Sequence, residues 1–282
     1  VIHNMKQNPL SIEELVEAVI GKTELDDRSR KIVEKRFGLA ADKPATLQEL
    51  GNTYGVTRER VRQVEAEALI DLKRAAAKIA ETDKLIEFIV DYLSGTGGVR
   101  GDDFLMKDIY NLSRPESEEA VFKNKLRFLL QLKDTPHFQK ENEDYYDFWY
   151  SQEDALATLE SVHSSLLRQL KKTEEFLDIL RSIIVPQHIT EPVALNYISV
   201  SKKIGVGPYG DLGLRDWDEI NPRTVRAKIY LALKKSGRPL HFTEIASMIE
   251  SHAPTVHNEL IKDRDKFVLV SRGTYGLKQW SE

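Results

Sequence analysis

The sequence predicts a mainly α protein with small β-wings, divided into several small domains around a long central helix. Three observations predict it. Apolar residues recur at three- and four-residue steps over most of the chain, as amphipathic helices require. The period switches to short strands near 137–150 and 266–277, each time directly after a run of helices. Between them one helical pattern extends from Gln152 to Ile184. At 282 residues, 41% hydrophobic and 30% charged, the chain has the size and composition of two to four small globular domains.

Residues 1–23 read as an N-terminal helix; the sequence opens on Val1, which leaves its native start open. In residues 24–80, Thr46-Leu47-Gln48-Glu49 fits a capping box that opens a short helix with Leu47, Leu50 and Tyr54 inward, and Gly51 leaves room for close packing. A Gly55-Val56 turn follows. Thr57 then caps a second helix whose buried face is Val61, Val64, Ala68 and Leu72. The opposite face carries Arg58, Glu59, Arg62, Gln63 and Ala66, which project to one side near the helix start. Arg pairs bidentately with guanine, Gln with adenine, and Glu accepts from the cytosine amino group, so this helix-turn-helix has the side chains that read base edges in the major groove.

From Leu25-Asp26-Asp27-Arg28 through Arg36-Phe37-Gly38-Leu39, and again from Thr46 to Lys73, the chain resembles region 4 of the sigma-70 family of bacterial RNA polymerase specificity factors. The resemblance covers about residues 24–75. It implies a helix that reads the promoter minus 35 element, with base contacts from Arg58, Glu59 and Gln63. It also implies phosphate contacts from Arg28, Arg36, Arg60 and Arg62; Thr57 and Lys73 are further candidates for DNA backbone contact. The Arg36–Leu39 helix end corresponds to the part of region 4 that docks on the flap of the polymerase β subunit, so a polymerase contact is implied as well. Glu67 and Asp71 stand where the family commonly has positive residues. No other stretch resembles the sigma segments that bind the polymerase clamp and melt the minus 10 element, which points to a regulator and away from a promoter-opening factor.

Residues 81–150 read as an acidic winged-helix-like domain: helices at 84–93, 104–111 and 116–132, then a hairpin of His137–Lys140 and Tyr145–Tyr150. Phe148, Trp149 and Tyr150 either close its small core or face a protein partner. The long helix or spacer follows at 151–185, and its Leu-rich stripe admits three roles: spacer, packing helix or homodimer seam. Residues 186–221 read as a strand, Leu195 to Ile204, and a Gly-rich passage ending Gly213-Leu214-Arg215-Asp216-Trp217, echoed by Gly276-Leu277-Lys278-Gln279-Trp280. Residues 222–282 order three helices before a hairpin. With Arg238-Pro239-Leu240-His241-Phe242 and the terminal Arg272-Gly273-Thr274-Tyr275-Gly276, this segment resembles the HARE-HTH winged helix, the module that also heads the RNA polymerase delta subunit. Lys262, Arg264 and Arg272 are its candidates for a second DNA contact.

Charge is uneven. Residues 222–282 hold 11 Lys and Arg against 6 Asp and Glu, and 24–80 hold 12 against 10, whereas 81–221 hold 16 against 26. Two mildly basic ends flank an acidic centre that will not lie along DNA. The chain has no cysteine, which removes disulfides, thiolate metal sites and cysteine nucleophiles together. No apolar run approaches the roughly 20 residues of a membrane span. Gly205-Val206-Gly207-Pro208-Tyr209-Gly210 matches GxGxxG but opens no helix and sits in no βαβ unit, so it is not read as a dinucleotide site. The seven histidines lack ligand spacing and Asp102-Asp103 reads as a solvated turn. The sequence therefore predicts a cytoplasmic, nucleoid-associated regulator with no enzyme activity, cofactor or metal, bound to double-stranded DNA. The alternative reading is a polymerase-bound accessory factor that contacts the β flap without reading DNA.

Overall fold

The starts of the first four helices are set by side-chain caps. Ser11 opens α1 (Ile12–Gly21), Asp26 opens α2 (Asp27–Arg36), Thr46 opens α3 (Leu47–Tyr54) and Thr57 opens α4 (Arg58–Ala76), each accepting a hydrogen bond from a backbone N–H of the first turn. At Ser11 and Thr46 the glutamate three residues on accepts in return from the cap's own N–H, completing a capping box. The computed structural model describes residues 11–171, 174–175, 179, 181–182 and 188–280. The expected helix at 1–23 is therefore seen as α1, and its first ten residues lie outside the described set.

The chain divides into two units: residues up to Ser161 with Leu195–Val200, and Val162–Ala194 with Ser201 onward. In the first unit, α5 (Ala80–Gly95), β1 (Val99–Gly101), α6 (Asp102–Ser113), α7 (Glu119–Gln131), β2 (His137–Gln139) and β3 (Phe148–Tyr150) follow the four N-terminal helices. The strands form an antiparallel sheet in the order β1-β3-β2, with Val99 opposite Tyr150 and His137 opposite Tyr150 on the other edge. One core joins the helix-turn-helix to this winged module, because Val19, Val33, Leu39, Leu72, Ile89, Leu105, Phe128 and Trp149 belong to a single buried cluster. Ile32, Leu50 and Val61 make a second, smaller cluster inside the helix-turn-helix itself.

Phe148 and Trp149 are both buried and do not face outward; Trp149 belongs to this core and is anchored by its indole N–H, which donates to Asp102 Oδ1 at 2.7 Å. Asn124 of α7 is also buried, and its side-chain amide donates to the carbonyls of Gly38, Ala41 and Asp42 at 3.2, 3.0 and 3.3 Å. These are carbonyls past the end of α2, where helical bonding has stopped. A third tie comes from late in the chain. Asn196 donates to the carbonyls of Thr96 and Val99 at 2.9 and 2.6 Å, and Tyr197 donates to that of Gly97 at 2.7 Å, lacing the loop before β1.

Two expectations are corrected at the middle of the chain. The long helix is shorter: α8 (Glu153–Gln169) ends, and Glu174–Glu175 form a short strand, β4, paired with Leu212 and Asp211. Long-range pairing is invisible to local periodicity, so the helical pattern misled at Glu174–Glu175, whereas Ile179, Arg181 and Ser182 further along it are helical; Phe176, Leu177 and Leu180 of that pattern lie outside the described residues. Leu159, Val162 and Leu166 of α8 are buried within the chain, as the packing-helix role requires. Residues 191–200, expected as part of a strand from Leu195, form helix α9 (Glu191–Val200). Pro192 suits a first helical turn, and the buried set Ala194, Tyr197 and Ile198 has helical spacing, which outweighs the strand preference of Tyr, Ile and Val.

In the second unit β5 (Ile204–Val206) and β6 (Asp211–Leu214) form a hairpin in a sheet ordered β4-β6-β5. The GxGxxG stretch is the turn of this hairpin, with the Gly207 N–H donating to the Asp211 carbonyl at 2.7 Å and Gly210 at φ 87°. Then come α10 (Val225–Ser236), β7 (Leu240–His241), α11 (Phe242–Met248), α12 (Ala253–Lys262), β8 (Phe267–Ser271) and β9 (Thr274–Leu277) around Ile229, Leu233, Ile245, Val256 and Leu260. The sheet order β7-β9-β8 repeats that of the other two: first strand, last strand, middle strand. The two echoed Gly-Leu-x-x-Trp segments share a local reason. In each the Trp folds back over the Gly four residues earlier, so that a Cβ on Gly213 would lie 2.8 Å from the Trp217 ring and one on Gly276 would lie 3.3 Å from that of Trp280.

Removing the Asn124 amide leaves buried carbonyls without a donor. Asn124→Ala is expected to lower the unfolding free energy by about 1–3 kcal/mol in urea denaturation, while Gln48→Ala, which breaks an exposed pair with Asn52, stays within about 0.5 kcal/mol.

Candidate nucleic-acid interface

The reading helix is aimed by the turn before it. A Cβ on Gly51 would lie 2.8 Å from the Val56 carbonyl oxygen, so only glycine lets the chain cross α3 this closely. Gly55 takes φ 63°, a left-handed conformation that ends α3, and Thr57 Oγ1 accepts from the Arg60 N–H at 3.1 Å to start α4. Val61 is fully buried in the small cluster with Ile32 and Leu50, and Ala68, Leu72 and Ala75 continue the stripe into the larger core. Arg58, Glu59, Arg62, Gln63 and Ala66 are all exposed. The face expected to read bases is thus turned to solvent over the first two turns of α4.

The exposed face is internally paired. Arg62 donates to both oxygens of Glu59 at 2.9 and 2.6 Å, and Arg60 donates to Gln63 Oε1 at 3.2 Å. Exposed pairs of this kind are worth only about 0.2–0.5 kcal/mol each, so they orient the side chains without resisting their transfer to a stronger partner. Arg58 makes no hydrogen bond or ion pair among the described residues, and Lys73 is exposed near the end of α4. Arg28 donates to the Tyr54 carbonyl at 2.9 Å and lies over the Tyr54 ring at 5.9 Å, which ties α2 to the end of α3.

Arg36 is half-buried, ion-paired with Glu65 at 3.2 Å, and donates to the Ala45 carbonyl at 3.3 Å, so it joins α2 to α4. The available signal was Glu65 itself, a carboxylate next to the inward Val64. The Arg36–Leu39 segment packs partly against α7. Gly38 and Leu39 are buried, the Phe37 ring meets that of Phe128 of α7 at 5.1 Å between centroids, tilted by 58°, and Asn124 closes over the carbonyls beyond, while Arg36 and Phe37 stay half-buried.

In the second unit Lys262 ends α12 and pairs with Glu259 at 3.3 Å, while Arg264 lies exposed in the following loop and Arg272 at the tip of the β8–β9 hairpin. Glu259 also holds Arg226 at 3.0 Å, which fixes α12 against α10. Among the described residues no group of His, Asp and Glu could hold a metal, and no helix is long and apolar enough to cross a membrane.

Three carboxylates of the helix-turn-helix titrate below their ordinary values of 3.8 for Asp and 4.5 for Glu. Asp26 is lowered first by the Ser29 backbone N–H, Glu49 by that of Thr46, and Glu59 by its hydrogen bond from Arg62. Groups lowered on folding stabilise fully above their ordinary values and lose that contribution as pH falls through the lowered ones. Thermal melts followed by circular dichroism are therefore expected to hold steady above about pH 5 and to fall in midpoint below about pH 4; the double variant Asp26→Asn, Glu49→Gln, which keeps capping geometry without the charge, flattens that fall.

Residues 23–74 match the family model for sigma-70, region 4. Over 53 residues the chain is 47% identical to the RNA polymerase principal sigma factor HrdD of Streptomyces griseus, covering 19% of this chain and 16% of that protein. It is 43% identical over 67 residues to the HrdD proteins of Streptomyces viridifaciens and Streptomyces coelicolor, covering 24% of this chain and 19% of each. The chain thus spans less than a fifth of the length of the curated relatives it matches. Over residues 23–74 this chain carries a sigma-70 region 4 domain.

Proposed function

We propose that this protein is a DNA-binding transcription regulator that acts with RNA polymerase, and that α4 reads a minus 35 type promoter element in the major groove. One observation carries the reading: in a region 4 domain, Arg58, Glu59 and Gln63 stand exposed on the first turns of a helix capped by Thr57 and buried along its other face. Arg28, Arg60, Arg62 and Lys73 surround that face and supply phosphate contacts. The relatives named as principal sigma factors support a promoter as the target and polymerase as the partner. The work of such a protein lies in the cytoplasm, on the nucleoid.

The C-terminal module is assigned as a HARE-type winged helix, supported by its α10-β7-α11-α12-β8-β9 order and its basic charge. Lys262, Arg264 and Arg272 give it a second DNA contact. A single small module buries only about 600–1,000 Å² on DNA, and tethering two raises effective affinity by roughly 10² to 10⁴ when both engage. The alternative is an accessory factor that grips the flap and does not read DNA; the exposed face of α4 favours the first reading.

The test is fluorescence anisotropy with a duplex bearing a minus 35 element and a scrambled duplex at fixed salt. Wild type is expected to prefer the first, and Arg58→Ala or Gln63→Ala to lose about 1–3 kcal/mol of that preference. Equal binding of both duplexes by wild type overturns the reading.

A further inference from the structure

The winged module of the first unit carries a cleft that the DNA-reading role does not use. It has a volume of about 590 Å³, the size of pockets that take a side chain or a small ligand, and it lies where the start of α6, the end of α7, the β2–β3 hairpin and the end of α9 meet. Phe104, Phe138 and Tyr146 line it, 49%, 42% and 44% exposed. Three large half-exposed rings in one place mark an interaction site.

The cleft's charge selects what can enter. Asp102, Asp103 and Asp147 line it with one cation among them, Arg127, which is already held by Asp102 at 2.6 Å and Asp103 at 3.0 Å. Asp102 also accepts from the Trp149 indole at 2.7 Å, so the floor is fixed before any ligand arrives. A phosphate or nucleic acid would meet net negative charge, within a segment, 81–221, that holds ten more acidic than basic residues. A cation would meet carboxylates together with the Phe138 and Tyr146 rings, which attract it further, while the Phe104 ring already carries the Arg100 guanidinium at 5.0 Å from its centroid.

We propose that this cleft is a docking site for a protein partner that inserts an arginine or lysine side chain with a neighbouring apolar residue. The guanidinium or ammonium sits among the carboxylates and the apolar neighbour covers Phe104 and Phe138. The site is independent of the α4 reading face, so its occupation and DNA binding are separable.

The test uses the full chain and an acetylated, amidated Gly-Arg-Leu-Arg-Gly peptide, beside its twin with citrulline in place of both arginines, followed by amide chemical shifts. The arginine peptide is expected to shift the amides of Gly101–Phe104 and of the Phe138–Asp147 hairpin, and the citrulline twin to bind at least tenfold more weakly. Asp103→Asn, at the exposed rim, is expected to weaken the arginine peptide about fivefold with the remaining spectrum unchanged. Phe138→Ala weakens both peptides, because it removes the apolar seat. Equal binding of the two peptides, shifts confined to other residues, or a duplex DNA shifting these same amides would overturn the proposal.

Discussion

The burial of α4 along one stripe is the constraint on which the rest of the first unit depends. Val61 locks its first turns to Ile32 and Leu50, while Ala68, Leu72 and Ala75 lock its later turns into the core shared with α1 and the winged module. A helix held on one side over 19 residues has no freedom to roll. Arg58, Glu59, Arg62 and Gln63 are therefore exposed as a consequence of what is buried opposite them. Compared with that burial, the surface pairs Glu59–Arg62 and Arg60–Gln63 are small in energy; they tune side-chain direction and leave helix direction alone.

The same packing explains why the region 4 domain does not stand by itself. The face of α2 that ends in Phe37 and Leu39 would expose apolar surface and bare carbonyls, and α7 supplies both a ring, Phe128, and a buried amide, Asn124. The acidic winged module is thereby part of the helix-turn-helix's foundation. That gives the acidic centre a structural task consistent with its charge. It supports α4 along its buried stripe, opposite the exposed face of Arg58, Glu59, Arg62 and Gln63, and it keeps a carboxylate- and ring-lined cleft of its own.

Much of this was legible in the sequence where the signals are local. Thr46 with Glu49, Thr57, and the Val61–Val64–Ala68–Leu72 spacing placed α3 and α4, because caps and periodicity act within a few residues. The switch from helical to strand period placed the β2–β3 and β8–β9 hairpins. What was not legible depends on distant partners. Glu174–Glu175 became a strand because β6 was there to pair with, Leu195–Val200 stayed helical because Ala194, Tyr197 and Ile198 were buried together, and Arg36 joined α2 to α4 because Glu65 was in reach. At the candidate site, periodicity alone identified the exposed face of α4; it had no means of showing that Arg36–Leu39 would pack partly against residues some 90 positions later.

The central claim is that α4 enters a major groove and touches base edges. Methylation interference measures this directly, because a methyl on guanine N7 blocks the acceptor that an arginine fork requires. With the full chain alone on a promoter fragment, the account predicts that methylation of guanines in the minus 35 element removes bound complex. Binding that is indifferent to methylation there would contradict it.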